Sequence, residues 1–302
     1  MNGYDKKYGL MADSACDLPT ETVKTLGIDI VPFYISFGDE AYFKEGEELS
    51  VQEFYEKMKN SGGVYPKTSL PSVDDYMQAF EKFAREKRPV ICLCLSSELS
   101  GSYNSAVNAA DLVREAYPDA EITVIDSHLA TILQGTLLIE AARMRRDGLS
   151  CGECVKKLRR LMPTGRIYFS IGTMDYLIHG GRVGRLKGAV ASTLGLKPVL
   201  MFGQGELVSK GVSRSKKKAV SKMIELAAEY FEKSGEDASQ YHIVAGYGDE
   251  RAECDKLRGQ LAESFKSHGL RSVPVYRIGA TIGVHVGPQT VGLGFIKKYE
   301  FI

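Results

Sequence analysis

The stretch that decides the fold is Val90-Ile91-Cys92-Leu93-Cys94-Leu95-Ser96-Ser97-Glu98-Leu99-Ser100-Gly101-Ser102-Tyr103-Asn104-Ser105-Ala106. Six consecutive apolar residues bounded by a hydroxyl-rich turn predict a strand buried on both faces, and such strands belong to parallel sheets covered by helices. A helix is expected to start at about residue 102 and to run to about 116. At its start, free backbone N–H groups and the helix dipole favour an anion. Ser100 stands one residue before Gly101, where a hydroxyl can cap the helix and a glycine lets a ligand approach closely. Ser97 belongs to the same hydroxyl turn.

Working outward, the first half alternates strand and helix. Strands are predicted at 8–12, 28–37, 90–95 and 122–125, and helices at about 19–26, 50–61, 72–88, 102–116 and up to 146. Ser50 with Glu53, Ser72 with Asp75 and Ser150 with Glu153 each read as a helix-opening pair in which the hydroxyl and the acid satisfy free N–H groups. Three strands end alike, in Asp13-Ser14, Ser96-Ser97 and Asp126-Ser127. Ligands of open α/β sheets bind at the carboxyl ends of strands, so these ends point to one crevice. A break is expected at 163–165. Beyond it, strands at 166–171, 241–247, 273–278 and 291–296, a hairpin around Gly203-Gln204-Gly205, and helices at about 216–233 and 250–268 predict a mixed sheet with helices on one face.

Two further clusters carry chemistry. Lys67-Thr68-Ser69-Leu70-Pro71-Ser72 reads as a loop leading into the helix capped by Ser72, which leaves Thr68 and Ser69 without a structural task. The segment 279–294 holds five glycines around His285, a density that lets backbone pass close to a ligand or another chain. Asp175 to Arg185 lacks the glycine–lysine spacing of a phosphate loop; a helix end at Gly180-Gly181 with Arg182 exposed beyond it is the simpler reading. An exposed arginine on a turn is a common protein anchor.

The chain of 302 residues suggests about two domains. Its 44% apolar and 25% charged residues are those of an ordinary globular protein, and 39 basic against 38 acidic residues leave +1, so no global field attracts nucleic acid or an anionic membrane. No apolar run is long enough for a membrane helix, and the N-terminus shows no leader core, so a cytoplasmic location without membrane insertion is expected. Six cysteines are too sparse for a disulfide scaffold. Cys92 and Cys94 share one face of a strand and read as buried thiols. Cys151 and Cys154 form a lone C-x-x-C at a helix start, where thiolates are favoured, but no second ligand pair accompanies them for a metal.

In order along the chain, ADSACDLP, KTSLPS, SSELSGSYNSA, VIDSHLAT, YLIHGGRVGRLKG and GVHVGPQTVGLGF resemble the motifs of the DegV family of bacterial fatty-acid-binding proteins, over nearly the whole length. The resemblance implies an α/β fold of two domains. Residues 1–162 would form a three-layer α/β/α domain with a parallel sheet, and 163–302 a two-layer α/β domain with a mixed sheet. A long-chain fatty acid would lie between them. Carried over, Thr68 and Ser100 match the hydroxyls that bind the carboxylate, and His285 matches a histidine beside it, with Ser69, Ser97 and Gly101 supporting. Arg182 matches an arginine that helps engage a partner fatty acid kinase. That kinase would bring ATP and form the acyl phosphate, so this chain would itself be neither enzyme nor cofactor protein. Two positions depart from the pattern. Leu70 replaces a glutamine, which implies a more apolar wall beside Thr68, and Gln289 replaces a glycine behind His285.

Two other functions compete. A serine hydrolase would use Ser100, His285 and an aspartate such as Asp13 or Asp126, but Ser100 lacks the G-x-S-x-G turn. A kinase in its own right would need the missing phosphate loop. For tunnel lining, Val31, Phe33, Tyr34, Phe37, Phe169, Ile171, Met174, Leu177 and Ile178 are candidates, and equally candidates for ordinary core.

Overall fold

A computed structural model describes residues 8–38, 41–188, 195–270 and 272–302. Residues 1–7, part of the segment read for a leader core, lie outside them. The expected buried strand is Val90–Cys94, with all five residues buried. It sits inside a four-stranded parallel sheet ordered Ile28–Val31, Gly9–Asp13, Val90–Cys94, Ile122–Asp126. Strand alternation divides its side chains between two cores. Val90, Cys92 and Cys94 pack with Tyr76, Phe80 and Ala109 from the helices Val73–Arg85 and Ser102–Ala116. Ile91 and Leu93 pack on the other side with Leu133 and Leu137 of the helix Thr131–Arg146.

That last helix has thirteen of its sixteen residues buried. Its buried polar residues are partnered, Gln134 donating to Asp13, Glu140 bonding His242 and Arg145 donating to the Tyr8 carbonyl, so the helix can lie inside the protein. Here its far side meets a seven-stranded mixed sheet, to which it contributes contacts at the strands Tyr241–Tyr247 and Val291–Lys297. The sheet order is Val275–Arg277, Tyr241–Tyr247, Val291–Lys297, Arg166–Ser170, Lys197–Gly203, Glu206–Ser213, Leu186–Lys187. Its other face carries the helices Lys216–Ser234 and Arg251–Ser264 around Phe231, Leu257 and Phe295. The expected hairpin turns at Gln204 and Gly205, both at positive φ (54° and 76°), as the tightest hairpin turn requires.

All three helix-opening pairs form, at Ser50, Ser72 and Ser150. The predicted strand 28–37 is instead two strands. Pro32 has no N–H to donate to a ladder, and the chain turns there. Ile28–Val31 stays in the parallel sheet, whereas Tyr34–Phe37 joins a small antiparallel sheet between Phe43–Lys44 and Pro66–Ser69. Residues 66–69, expected as a loop, are therefore a strand. The glycine-rich segment holds an unforeseen short helix, Ala280–Val286, whose Ala280 and Val284 pack against Ile35, Phe37, Phe54 and Tyr55. Among the described residues no helix is long and apolar enough to cross a membrane.

Candidate functional site

Ser100 is placed by hydrogen bonds that begin at the end of the neighbouring strand. Asp13 is fully buried at the end of Gly9–Asp13, and its Oδ2 accepts from the Leu95 N–H and the Ser102 hydroxyl, each at 2.8 Å. Its Oδ1 accepts from Gln134 Nε2 at 2.9 Å. Ser102 also shares a 2.6 Å bond with the Tyr76 hydroxyl, and its N–H donates to Ser100 Oγ at 3.2 Å. Burial pushes the Asp13 carboxyl up to about 6, against the pull of these donors. Ser100 Oγ thus accepts from the turn and keeps its hydrogen free to donate.

Thr68 arrives from the small sheet, paired with Ile35. Its Oγ1 lies 3.2 Å from His285 Nε2, although the two are 217 positions apart. The helix bearing His285 is fixed at its other end by Glu45, which accepts from the Thr281 N–H, the Thr281 hydroxyl and the Ser14 hydroxyl. His285 Nδ1 is buried with no hydrogen-bond partner. It rests against Gly180, where a Cβ would fall 2.2 Å from Nδ1. Gly180 has an ordinary helical φ of −74°, so its absent side chain matters for space and not for backbone freedom. Burial, and next the Arg182 guanidinium, hold the imidazole down at about 3, so it is neutral near pH 7.

Arg182 is not exposed as the sequence suggested. Its side chain turns inward because two carbonyls capture it: Nε donates to Leu99 O at 3.1 Å and Nη1 to Gly180 O at 2.6 Å. It ties the Gly180-Gly181 turn to the hydroxyl turn and, among the described residues, leaves Nη2 without an acceptor. Among the described residues no carboxylate pairs with it. Burial and the neighbouring Arg185 lower its pKa.

Thr68, Ser100, Arg182 and His285 line one cavity, with about 890 Å³ of space between its atoms, part of it open to solvent. The remaining wall is largely apolar, including Phe33, Leu95, Phe169, Phe202 and Ile278. The cavity's other hydroxyls are occupied: Thr131 donates to Asp17, Thr281 to Glu45, and Thr290 to the Val286 and Gly287 carbonyls. Of the tunnel candidates, Phe33, Phe169 and Leu177 line it, whereas Val31, Phe37 and Ile171 are ordinary core and Ile178 is half exposed. Tyr34 turns instead to Asp75, and Met174 packs against the core edge.

The proposed supporting residues stay outside the cavity. Ser69 follows Thr68 in a strand, and alternation sends its side chain to the exposed side. Ser97 gives its N–H to Asp126. Gly101 caps the helix and lies under Leu70, whose Cδ2 would be 3.1 Å from a Cβ there. Leu70 accordingly covers the hydroxyl turn from outside and does not form a cavity wall. The Cys151 and Cys154 thiols are not activated, because burial pushes both up, Cys154 to about 12. Sequence reading missed Asp13 and Gly180 as positioning residues. The polar strand end at Asp13-Ser14 was the available signal for the first; nothing local signalled the second.

Chemically, the four groups offer hydroxyl donors and a cation to an anionic head, and the wall offers burial to an apolar tail. They do not form a hydrolytic pair, since His285 bonds Thr68 and not Ser100, and among the described residues no carboxylate orients the ring.

Known proteins resemble the chain over nearly its whole length. A protein of Thermotoga maritima named as a fatty acid-binding protein is 32% identical over 292 residues, covering 95% of this chain and 97% of its own. A crystal structure from Eubacterium ventriosum described as a stearic acid-binding protein superposes with TM-score 0.91 at 36% identity, covering 98% of this chain and all of the other. A structure of DegV from Bacillus subtilis, described as a fatty acid binding protein, gives 0.80 at 27% identity, covering 97% and 100%. A family model described as "Uncharacterised protein, DegV family" matches residues 7–298. The chain belongs to the DegV family.

Proposed function

We propose that this protein binds a long-chain fatty acid, with the carboxylate at Thr68, Ser100, Arg182 and His285 and the tail in the apolar cavity. The observation that carries this reading is the half-buried guanidinium of Arg182, which has no carboxylate partner among the described residues and lies on a largely apolar cavity wall that also carries the Ser100 hydroxyl. A buried cation is costly unless paired. A ligand carboxylate supplies the pair, and an alkyl tail supplies the burial that the wall demands. The relatives described as binding fatty acids support the same ligand class. In this reading residues 1–162 and 163–302 act as two domains with the ligand between them.

The finer reading is that the protein presents its ligand to a fatty acid kinase. Next to Arg182, the exposed Ile178 and Val183 give that turn an apolar surface suited to a protein partner. Organic extraction of the purified protein followed by mass analysis tests the first reading, which expects a C14–C20 fatty acid in about one-to-one ratio. A protein that yields none and takes up none from added stock overturns it. Acyl phosphate formation with ATP and a fatty acid kinase tests the second, and turnover independent of this protein overturns it.

A further inference from the structure

Two glycines face each other across the ladder between Tyr241–Tyr247 and Val291–Lys297, Gly246 opposite Gly292, and Gly292 is in turn opposite Phe169. Directly opposed residues share a face, so this row faces the cavity, and all three residues line it. Glycine inside a strand weakens it and commonly marks a close approach. The two positions differ in what they would tolerate. A Cβ on Gly292 would fall 2.8 Å from Phe169 Cβ and 2.9 Å from the Tyr168 carbonyl oxygen, so the sheet itself forbids a side chain there. The three atoms nearest a Cβ on Gly246 all belong to side chains, Ile278 Cδ1 at 3.1 Å and Ile132 Cγ2 and Cδ1 at 3.3 and 3.4 Å. Both isoleucines line the cavity. A methyl group at 246 is therefore accommodated by pushing the two isoleucine tips into the space they border.

The location along the ligand follows from the short helix. Ile278 lies two residues before Ala280–Val286, and His285 lies near its end, so about 7.5 Å of helix rise from Ala280 to His285 stands between them. The bare floor thus faces the tail well beyond the carboxylate. We infer that Gly246 sets the girth available to the middle of the tail, and with it the discrimination between straight and bent acyl chains. This rests on fatty-acid binding as proposed above.

The test compares stearate and oleate, which have equal length and differ by one bend, on the intact protein. Gly246→Ala is expected to shift the ratio of their affinities by about ten-fold toward the straight acid, the usual discrimination for one misplaced methyl in an apolar pocket. Adding Ile278→Val, which removes the Cδ1 that the new methyl meets, is expected to return the ratio toward that of the unaltered protein. Should Gly246→Ala fail to fold by its thermal melt, Ile132→Val with Ile278→Val carries the test in the opposite sense and is expected to favour oleate. An unchanged ratio in the folded variants overturns the inference while leaving fatty-acid binding intact. Failure of the unaltered protein to bind either acid overturns instead the function on which it rests.

Discussion

Removal of the Ser100 hydroxyl separates what the head group contributes from what the tail contributes. Ser100 Oγ accepts from the Ser102 N–H, and its own hydrogen is free to donate to a carboxylate. A hydrogen bond to a charged group contributes about 1.5–3 kcal/mol, so Ser100→Ala is expected to weaken fatty-acid binding by about 10- to 150-fold. The tail obeys a separate rule. At about 0.8 kcal/mol per methylene, shortening a C18 acid to C14 costs about 3 kcal/mol, or roughly 200-fold. Ser100 and the far wall of the cavity share no partner, so the two effects should add within about 0.5 kcal/mol. Calorimetric titration of C14, C16 and C18 acids into both proteins gives the comparison, and Ser100→Ala should lower all three affinities by one common factor. The Ser102 N–H loses its acceptor in the variant, which lowers the melting temperature but does not alter the dependence on chain length. Affinity within two-fold of the unaltered protein, or a changed dependence on chain length, would refute the assignment of Ser100 to the carboxylate.

Three further outcomes follow from the same geometry. Gly180→Ala places a methyl group on His285 Nδ1 and is expected to cost about 1–3 kcal/mol by overpacking and to break the Thr68–His285 bond, visible as a shifted imidazole resonance; an unchanged resonance with full stability contradicts it. His285 has a depressed pKa, so it supports the fold fully above about 6.5 and loses that contribution as pH falls toward about 3. Relative to the unaltered protein, His285→Gln should accordingly gain stability as pH drops from 7 to 4, by about 3 kcal/mol, in paired denaturant titrations; a constant difference across that range refutes it. Asp13 behaves oppositely, since its pKa is raised to about 6 and its contribution is greatest below about 4 and lost as pH rises through 6. Asp13→Asn also strands a donor among Leu95, Ser102 and Gln134, so it should destabilise by about 1–3 kcal/mol at pH 7 and by more at pH 4; melting curves that converge in acid would contradict this.

The parts legible in the sequence are those decided locally. The run 90–95 reads as a buried strand because nothing else accounts for six apolar residues before a serine turn, and the pairs at Ser50, Ser72 and Ser150 read as helix starts because hydroxyl and acid stand three residues apart. What escaped reading depends on partners far along the chain. Pro32 divides one apparent strand between two sheets, and only the second sheet makes Thr68 a strand residue. Once it is one, alternation turns Thr68 inward and Ser69 outward, a distinction that a loop reading does not provide. The helix at 280–286 hides among glycines because it is held from outside, by Glu45 at one end and by Phe54 and Tyr55 along its flank. Arg182 looked exposed because turn position suggests it, whereas the Leu99 carbonyl, 83 positions away, draws it in.

In the proposed binding of a fatty acid, the inward arginine would also let a cavity dominated by apolar surface select an orientation. Tail burial is nearly indifferent to direction, because every methylene gains about 0.8 kcal/mol wherever it lies along the wall. The head groups are not indifferent. With the carboxylate at Arg182, its charge meets a guanidinium nitrogen that has no acceptor among the described residues and the hydrogen of the Ser100 hydroxyl. Reversed, the carboxylate would lie unpaired against the apolar wall, while the half-buried Arg182 kept only the Leu99 and Gly180 carbonyls as partners. Both penalties fall on the same orientation, each of several kcal/mol for an unpaired charge out of water. Affinity therefore resides in the tail and direction in the head. The neutral His285, bonded to Thr68 and packed on Gly180, keeps a second positive charge from forming beside Arg182.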